Sequence, residues 1–224
     1  GITFGDALVS IGDYAFYGST SVTNISLGKN ITSIGAFAFS NLINLEEVTI
    51  ISNLEVISEC LFANDNNLTK VNINGIKTVE GGAFMNCSVL EAIDLSNATY
   101  IGMEAFSSCL GLTSVDLSNA IEIAAGAFIM CNNLTDVKLE VVERIEARAL
   151  SCIGVSEISL PATIKYIAPT AFYYNINMTK FTDLNGNDTC DINDYIKLDQ
   201  GVLYTTTKNG KLLLTAYPTN SKEK

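Results

Sequence analysis

Residues 109–131 read CLGLTSVDLSNAIEIAAGAFIMC. Leu112, Val115 and Leu117 form L-x-x-V-x-L, which ends in the period-two alternation of a half-buried strand. Ile123 follows, then the pair Ala127–Phe128, with a cysteine at each end of the stretch. The same order recurs on both sides. Units start at Ile11, Ile34, Ile57, Val79, Ile101, Ile123, Ile145 and Ile167, in steps of 23 or 22 residues. Five residues after each start stand Phe16, Phe39, Phe62, Phe84, Phe106, Phe128, Leu150 and Phe172, each preceded by alanine except Phe62, which follows Leu61. Aliphatic columns follow in phase, as in Leu45, Leu68, Leu90, Leu112 and Leu134.

A fixed period of this length is the signature of a solenoid, in which no unit can bury its apolar face alone. Each coil is expected to lay one short strand beside the last, in parallel and about 4.8 Å apart, so that eight coils span roughly 35–40 Å. The phenylalanine fills the interior, and the alanine before it lets the returning backbone approach closely. The I-G-x-x-A-F segment is expected to be a short extended piece followed by a helical or 3₁₀ turn, which makes the fold class α/β. The seventh unit slips by one residue at Val155, Ile158 and Leu160 and recovers by Ile167. In the eighth, Asp183 stands where earlier units place leucine or isoleucine. A carboxylate cannot stack in an apolar column, so the solenoid is expected to occupy residues 1–184. Residues 185–224 form a C-terminal cap: the apolar runs within 198–217 flank Lys208–Asn209–Gly210, and Asn-Gly is a strong hairpin signal. Residues 1–10 read as an incomplete coil without a cap.

The quoted residues resemble the BspA-type leucine-rich repeat, a subclass also seen in treponemal proteins, with the pattern C-x-x-L-x-x-V-x-L-P-x-x-I-x-x-I-G-x-x-A-F-x-x-C. Leu160–Pro161 supplies even its Leu-Pro step. The resemblance covers about residues 8–184. It implies a leucine-rich-repeat solenoid and a secreted or cell-surface protein. The expected role is a non-catalytic interaction or adhesion scaffold for a protein or glycan on host or neighbouring cells. The alternative is a structural spacer that presents other modules.

Composition narrows the function. The net charge is −11, and the longest basic cluster is the scattered Lys208, Lys211, Lys222 and Lys224, so no patch is set to neutralise nucleic-acid phosphates or an anionic membrane. No apolar run approaches the ~20 residues of a spanning helix. No basic start leads into an apolar run as in a signal peptide, and the pattern begins already in phase, as a mature or trimmed chain would. Histidine is absent, which removes Ser-His and Cys-His catalysis. No enzymatic activity, no cofactor and a single-copy state are expected.

Cys87, Cys109 and Cys131 are each 22 apart, and Cys152 follows 21 later; Cys60 and Cys190 fall outside the series. None has the paired spacing of zinc ligands, and stacked parallel side chains suit disulfides poorly, so these read as buried thiols. Seven N-x-S/T sequons (Asn24, Asn30, Asn67, Asn97, Asn133, Asn177 and Asn187) read as by-products of the repeat. In residues 183–194, Asp183, Asn185, Asn187, Asp191 and Asp194 fall at the spacing of a calcium loop, although Asp188 replaces the turn glycine. The remaining candidate surface is the outward face of the strands. One column holds Thr49, Asn72, Asp94, Asp116, Lys138 and Ser159; the other holds Glu47, Lys70, Ser114 and Asp136. The face is polar, mildly acidic and without aromatic anchors.

Overall fold

The computed structural model describes residues 1–52 and 54–218; Lys222 and Lys224 of the basic cluster lie outside the described residues. The chain winds as a solenoid with three hydrogen-bonded sides. The first side carries the longer strands, from Ile2–Phe4 and Asn24–Leu27 through Glu47–Ile50, Lys70–Ile73, Ser114–Leu117, Asp136–Leu139 and Glu157–Leu160 to Lys180–Asp183. They pair in parallel and in the register of the repeat, with Val115 opposite Val137 and Leu117 opposite Leu139. The second side carries two-residue strands, six of which form one continuous parallel sheet from Val56–Ile57 to Tyr166–Ile167. Residues 1–10 supply the strand Ile2–Phe4, paired with Asn24–Leu27, and Ser10–Ile11, paired with Ser33–Ile34.

The third side corrects the expected α/β class. Among the described residues there is no helix; the Ala-Phe segment is a run of turns. The reason lies in the backbone. The third and seventh residues after each unit start adopt positive φ, Thr170 of the last unit excepted, as at Glu104 (53°), Ser108 (61°), Gly126 (65°) and Met130 (64°). A helix cannot pass through such residues. The alternation turns every second N–H toward the next coil: Glu104, Phe106 and Ser108 donate to the carbonyls of Ala125, Ala127 and Ile129 at 3.0, 2.8 and 2.9 Å. Between them, reverse-turn bonds such as Cys109 N–H to Phe106 O (3.1 Å) stay within the coil. Every coil is thereby tied to its neighbour on the turn side as well as through its strands.

Asn41, Asn64 and Asn86 occupy the seventh position, where Met130 pays for a conformation that asparagine tolerates. Met130 is half-exposed. Met130→Asn is therefore expected to stabilise the fold by about 0.5–1 kcal/mol, raising the melting temperature by about 2 °C. Differential scanning calorimetry reads this directly, and an unchanged or lower melting temperature contradicts it.

Inside, Phe39, Phe62, Phe84, Phe106 and Phe128 are fully buried and stacked, with centroids 5.8, 5.3, 5.1 and 5.1 Å apart. Phe4 meets Phe16 edge-on at 5.6 Å at one end of the column, and Phe181 meets Phe172 edge-on at 5.0 Å at the other. Gly102 marks a close approach on the second side: a Cβ there would fall 2.6 Å from the Glu80 carbonyl carbon.

The last parallel strand, Lys180–Asp183, places Asp183 opposite Leu160. After it, Cys190–Asp191, Ile196–Asp199, Val202–Thr206 and Leu212–Ala216 form a four-stranded antiparallel sheet in chain order. The expected hairpin is its last pair, with Gly210 in the left-handed region at 73°. This sheet seats on the final coil. Phe181 N–H donates to Gly201 O (2.9 Å), and the Asn193 amide donates to Ala162 O and Ile164 O at 2.9 and 3.0 Å. Ile196, Leu198 and Leu203 are buried on the same core.

Candidate functional site

The strand face presents the predicted columns, but in three sheet segments rather than one. Glu47–Ile50 and Lys70–Ile73 are fully paired, yet the next coil contributes only a single bridge, Lys70 to Ala92. Ser114–Leu117 pairs with Asp136–Leu139, and Glu157–Leu160 pairs with Lys180–Asp183, as separate two-stranded sheets.

Within each segment the charged side chains pair with one another. Lys70 Nζ lies 3.1 Å from Glu47 Oε1, which also accepts the Asn72 amide at 2.8 Å. Bonding to Lys70 holds the Glu47 carboxyl below the usual carboxylate range. Asn72 further donates to Thr49 Oγ1 at 3.1 Å. Lys138 lies 3.8 Å from Asp116 and 2.9 Å from Glu140, and Ser114 and Asp136 face each other in the register beside them. The hydroxyl and amide of Ser118 lower the Asp116 pKa. Ser159 bonds Thr182 at 2.9 Å. Exposed ion pairs of this kind contribute about 0–1 kcal/mol each. Their effect is to neutralise part of the face, with Asp94 and Asp136 outside these ion pairs.

The discontinuity at Ala92 brings three predicted residues together. Thr49, Asn72 and Asp94 line a shallow depression of about 420 Å³ with Ile50, Ile51, Val71, Ile73 and Asn74. Ile51 is exposed at its rim, and Asp94 is anchored by accepting from the Ser96 amide (3.0 Å) and hydroxyl (2.6 Å). Asp116, Lys138 and Ser159 lie further along the solenoid and take no part in it.

The calcium-spaced residues are placed differently from one another. Asp183 Oδ1 accepts the N–H groups of Asn185 and Asn187, both at 2.8 Å, and Oδ2 accepts the Asn187 amide at 2.8 Å. These bonds hold the Asp183 carboxyl below its ordinary range. Asp191 pairs instead with Lys197 at 3.1 Å. Among the described residues no three acidic or cysteine side chains converge on a common cation position.

The cysteine series changes membership. The Cys87, Cys109 and Cys131 thiols donate to Phe62 O, Phe84 O and Phe106 O at 3.0, 3.1 and 3.0 Å. Cys152 is not in this column; Ile153 takes that place, and Cys152 falls at the positive-φ position before it (56°). The sequon side chains also bind the repeat together: Asn67 and Asn133 donate to Ile43 O and Leu110 O at 2.9 and 2.8 Å.

One feature escaped the sequence reading. Pro169, Phe172, Tyr173, Tyr174 and Ile176 of the last coil meet Thr215, Ala216 and Tyr217 of the final strand around a cavity of about 380 Å³. Tyr173 and Tyr174 stand edge to face at 4.5 Å, and none of the lining residues is charged. The signal was the Tyr-Tyr pair at a turn position where earlier units carry Ser40–Asn41, Ala63–Asn64 or Ser107–Ser108. Exposed aromatic side chains absent from the strand face thus occur at this end of the solenoid, as Tyr14 and Tyr17 do at the other.

The comparisons with known proteins agree with the geometry. A family model for the BspA type leucine rich repeat region matches in six copies, over residues 1–110 and 67–179. Among curated proteins no sequence matches. A leucine rich cell surface protein of Faecalibacterium prausnitzii is similar in structure with a TM-score of 0.70 and 26% identity, over 96% of this chain and 51% of that one. The chain therefore spans about half the length of that neighbour. A leucine rich repeat protein of T. pallidum matches in fold with a TM-score of 0.55 at 23% identity, over 68% of this chain and 76% of its own. The pneumococcal vaccine antigen PcpA matches in fold with a TM-score of 0.57 at 23% identity, over 80% of this chain and 55% of its own. Among the described residues no helix is long and apolar enough to cross a membrane.

Proposed function

Since the chain belongs to the BspA-type leucine-rich repeat family, we propose that it is a non-catalytic interaction scaffold displayed outside the cell, binding a protein or glycan on host or neighbouring cells. The observation that carries this reading is the break of the strand ladder at Ala92, where Thr49, Asn72 and Asp94 surround a depression with the exposed Ile51 at its rim. A regular solenoid face offers a repeated surface; the break at Ala92 interrupts that repetition and creates a concavity for a side chain or sugar. The polar rim around an apolar floor is the usual anatomy of a recognition patch. The absence of histidine from the chain leaves the common proton-relay nucleophiles unsupported. The relative from Faecalibacterium prausnitzii is described as a cell surface protein, which supports the extracellular placement.

The test is a binding screen of the purified chain against extracellular-matrix proteins, bacterial and epithelial surfaces and a glycan array. Any ligand found is then titrated against Asp94→Arg and Thr49→Arg. Affinity is expected to fall at least about tenfold for each at unchanged melting temperature. Absence of any ligand across the screen favours the spacer reading, which draws support from the mutual pairing of the charges on the strand face.

A further inference from the structure

The final strand, Leu212–Ala216, is the outer strand of the antiparallel sheet, and three consecutive leucines on it are exposed: Leu212 (55%), Leu213 (48%) and Leu214 (54%). Edge strands are ordinarily protected by charge, proline or a covering element. This one carries no charged residue or proline between Leu212 and Tyr217. Its hydrogen-bonding pattern is open in a definite way. Thr207 N–H donates to Lys211 O at 2.8 Å, so Thr207 and Lys211 form a bonded pair. Bonded and non-bonded pairs alternate along an antiparallel ladder. Leu213, opposite Thr205, is then bonded inward, while Leu212 and Leu214, opposite Thr206 and Tyr204, direct their N–H and C=O groups away from the sheet. At the end of the strand, Ala216 and Tyr217 join the uncharged tyrosine corner with Tyr173, Tyr174 and Ile176. Leucine edge and tyrosine corner together make an apolar surface far larger than scattered single residues explain.

We propose that this edge is a homodimer interface, in which Leu212–Ala216 pairs antiparallel with the same strand of a second copy. Two considerations select a second copy as the occupant. The first is self-complementarity: with Leu213 on the two-fold axis, Leu212 of each copy lies opposite Leu214 of the other, and these are the residues whose backbone groups point outward. Two sets of reciprocal bonds form, and the two four-stranded sheets become one of eight, with that edge closed on both copies. The second is charge. Each copy carries −11, so two copies repel over most of their surface, and an uncharged strand flanked by Lys208 and Lys211 is where they can approach. In the proposed register Lys211 of one copy sits beside Thr215 of the other, about 13 Å along the strand from its own counterpart, so the lysines do not oppose each other. A dimer replaces the single-copy state expected from sequence.

The experiment is sedimentation equilibrium on the 224-residue chain from about 1 to 200 μM, alongside Leu213→Lys and Leu214→Pro. Wild type is expected to shift with concentration from the 24.0 kDa monomer toward twice that mass. Leu213→Lys puts two ammonium groups on the axis and is expected to weaken association by at least about tenfold. Leu214→Pro removes an outward donor and no inward one, and is expected to do the same. Calorimetry of both variants checks that the solenoid melts as in wild type, so that loss of the dimer is read as loss of the interface. A single 24.0 kDa species for wild type over the whole range, or variants that dimerise as wild type does, overturns the proposal.

Discussion

Asp65→Asn is expected to stabilise the protein by about 2–4 kcal/mol at pH 7 and to flatten its stability between pH 4 and 9. Asp65 occupies the column of the buried cysteines, directly before Cys87, and is fully buried. Its Oδ1 accepts the Leu42 N–H at 2.7 Å, while Oδ2 has no partner. In other coils the N–H of this column bonds within its own coil, as Cys87 N–H does to Phe84 O (3.1 Å) and Cys109 N–H to Phe106 O (3.1 Å). Leu42 N–H is diverted to the carboxyl, which takes that donor away from Phe39 O. Asn175 fills the same column and shows the complete arrangement. Its Oδ1 accepts Ile153 N–H at 3.0 Å, and its Nδ2 donates to Leu150 O at 2.8 Å. Only a protonated Asp65 can copy that second bond, donating from Oδ2 to Phe39 O where Asn175 donates to Leu150 O. Burial pushes its pKa up to about 9 in agreement, against the opposing pull of the Leu42 N–H.

The sign follows from linkage. Unfolded, Asp65 releases its proton near pH 3.8; folded, it keeps it to about pH 9. The folded state thus holds one more proton across that window, and stability is fully present below pH 3.8 and falls as pH rises, by at most about 1.4 kcal/mol per unit. Relaxation and water entry reduce the full figure, hence the range given. Asparagine supplies the donor permanently. Urea denaturation at pH 5, 7 and 8.5 compares the two proteins. The assignment is wrong if the asparagine variant is the less stable one at pH 7, or if both show the same slope with pH. At the acid end other groups dominate: Asp6, Glu47, Asp116 and Asp183 all have lowered pKa values, and protonating them below about pH 4 removes their pairing.

The repeat made the solenoid legible because its core positions carry the same residue type in coil after coil. Phe62 and Phe84 recur in phase because one cross-section is built many times, and the parallel registers follow from that phase alone. The I-G-x-x-A-F segment reads as a helical turn because its spacing is helix-compatible. What excludes a helix is the sign of φ at Glu104 and Ser108, residue types that do not announce a left-handed conformation. Gly82, Gly126 and Asn86 at equivalent positions were the available clue. The candidate depression was half legible: Thr49, Asn72 and Asp94 could be placed on one face, but not the break that makes them neighbours, because the failed pairing at Ala92 is a long-range property of two coils. The tyrosine corner joins residues more than forty positions apart in different parts of the fold, and no local pattern connects Tyr174 with Tyr217. Asp65 is of a third kind, since it hides at a column position where Cys87, Cys109 and Cys131 are thiols, so only the alignment of coils shows that an acid stands in the core.

The largest loss is expected from Phe106→Ala. Phe106 sits in the middle of the aromatic column, with Phe84 and Phe128 each 5.1 Å away at 8° and 3° to its plane, and it is fully buried. Truncation removes an aromatic side chain from between two others and leaves a cavity that cannot close, because the backbone on either side is fixed. Phe106 N–H donates to Ala127 O at 2.8 Å, and Phe84 N–H donates to Ala105 O at 2.7 Å. A phenylalanine-to-alanine change in such a site costs about 3–5 kcal/mol. In a solenoid the cost has a second consequence. Stability is the sum of terms within coils and between neighbours, so one weakened pair of interfaces in the centre divides the array. The variant is expected to melt at lower temperature and less cooperatively, with calorimetric enthalpy exceeding the van't Hoff value. Phe106→Leu is the control, because Leu150 already takes this position in its own coil and is fully buried there. It is expected to cost about 1–1.5 kcal/mol and to keep a single transition. If alanine and leucine are equally tolerated, the aromatic column does not hold the coils together, and the three hydrogen-bonded sides must do so alone.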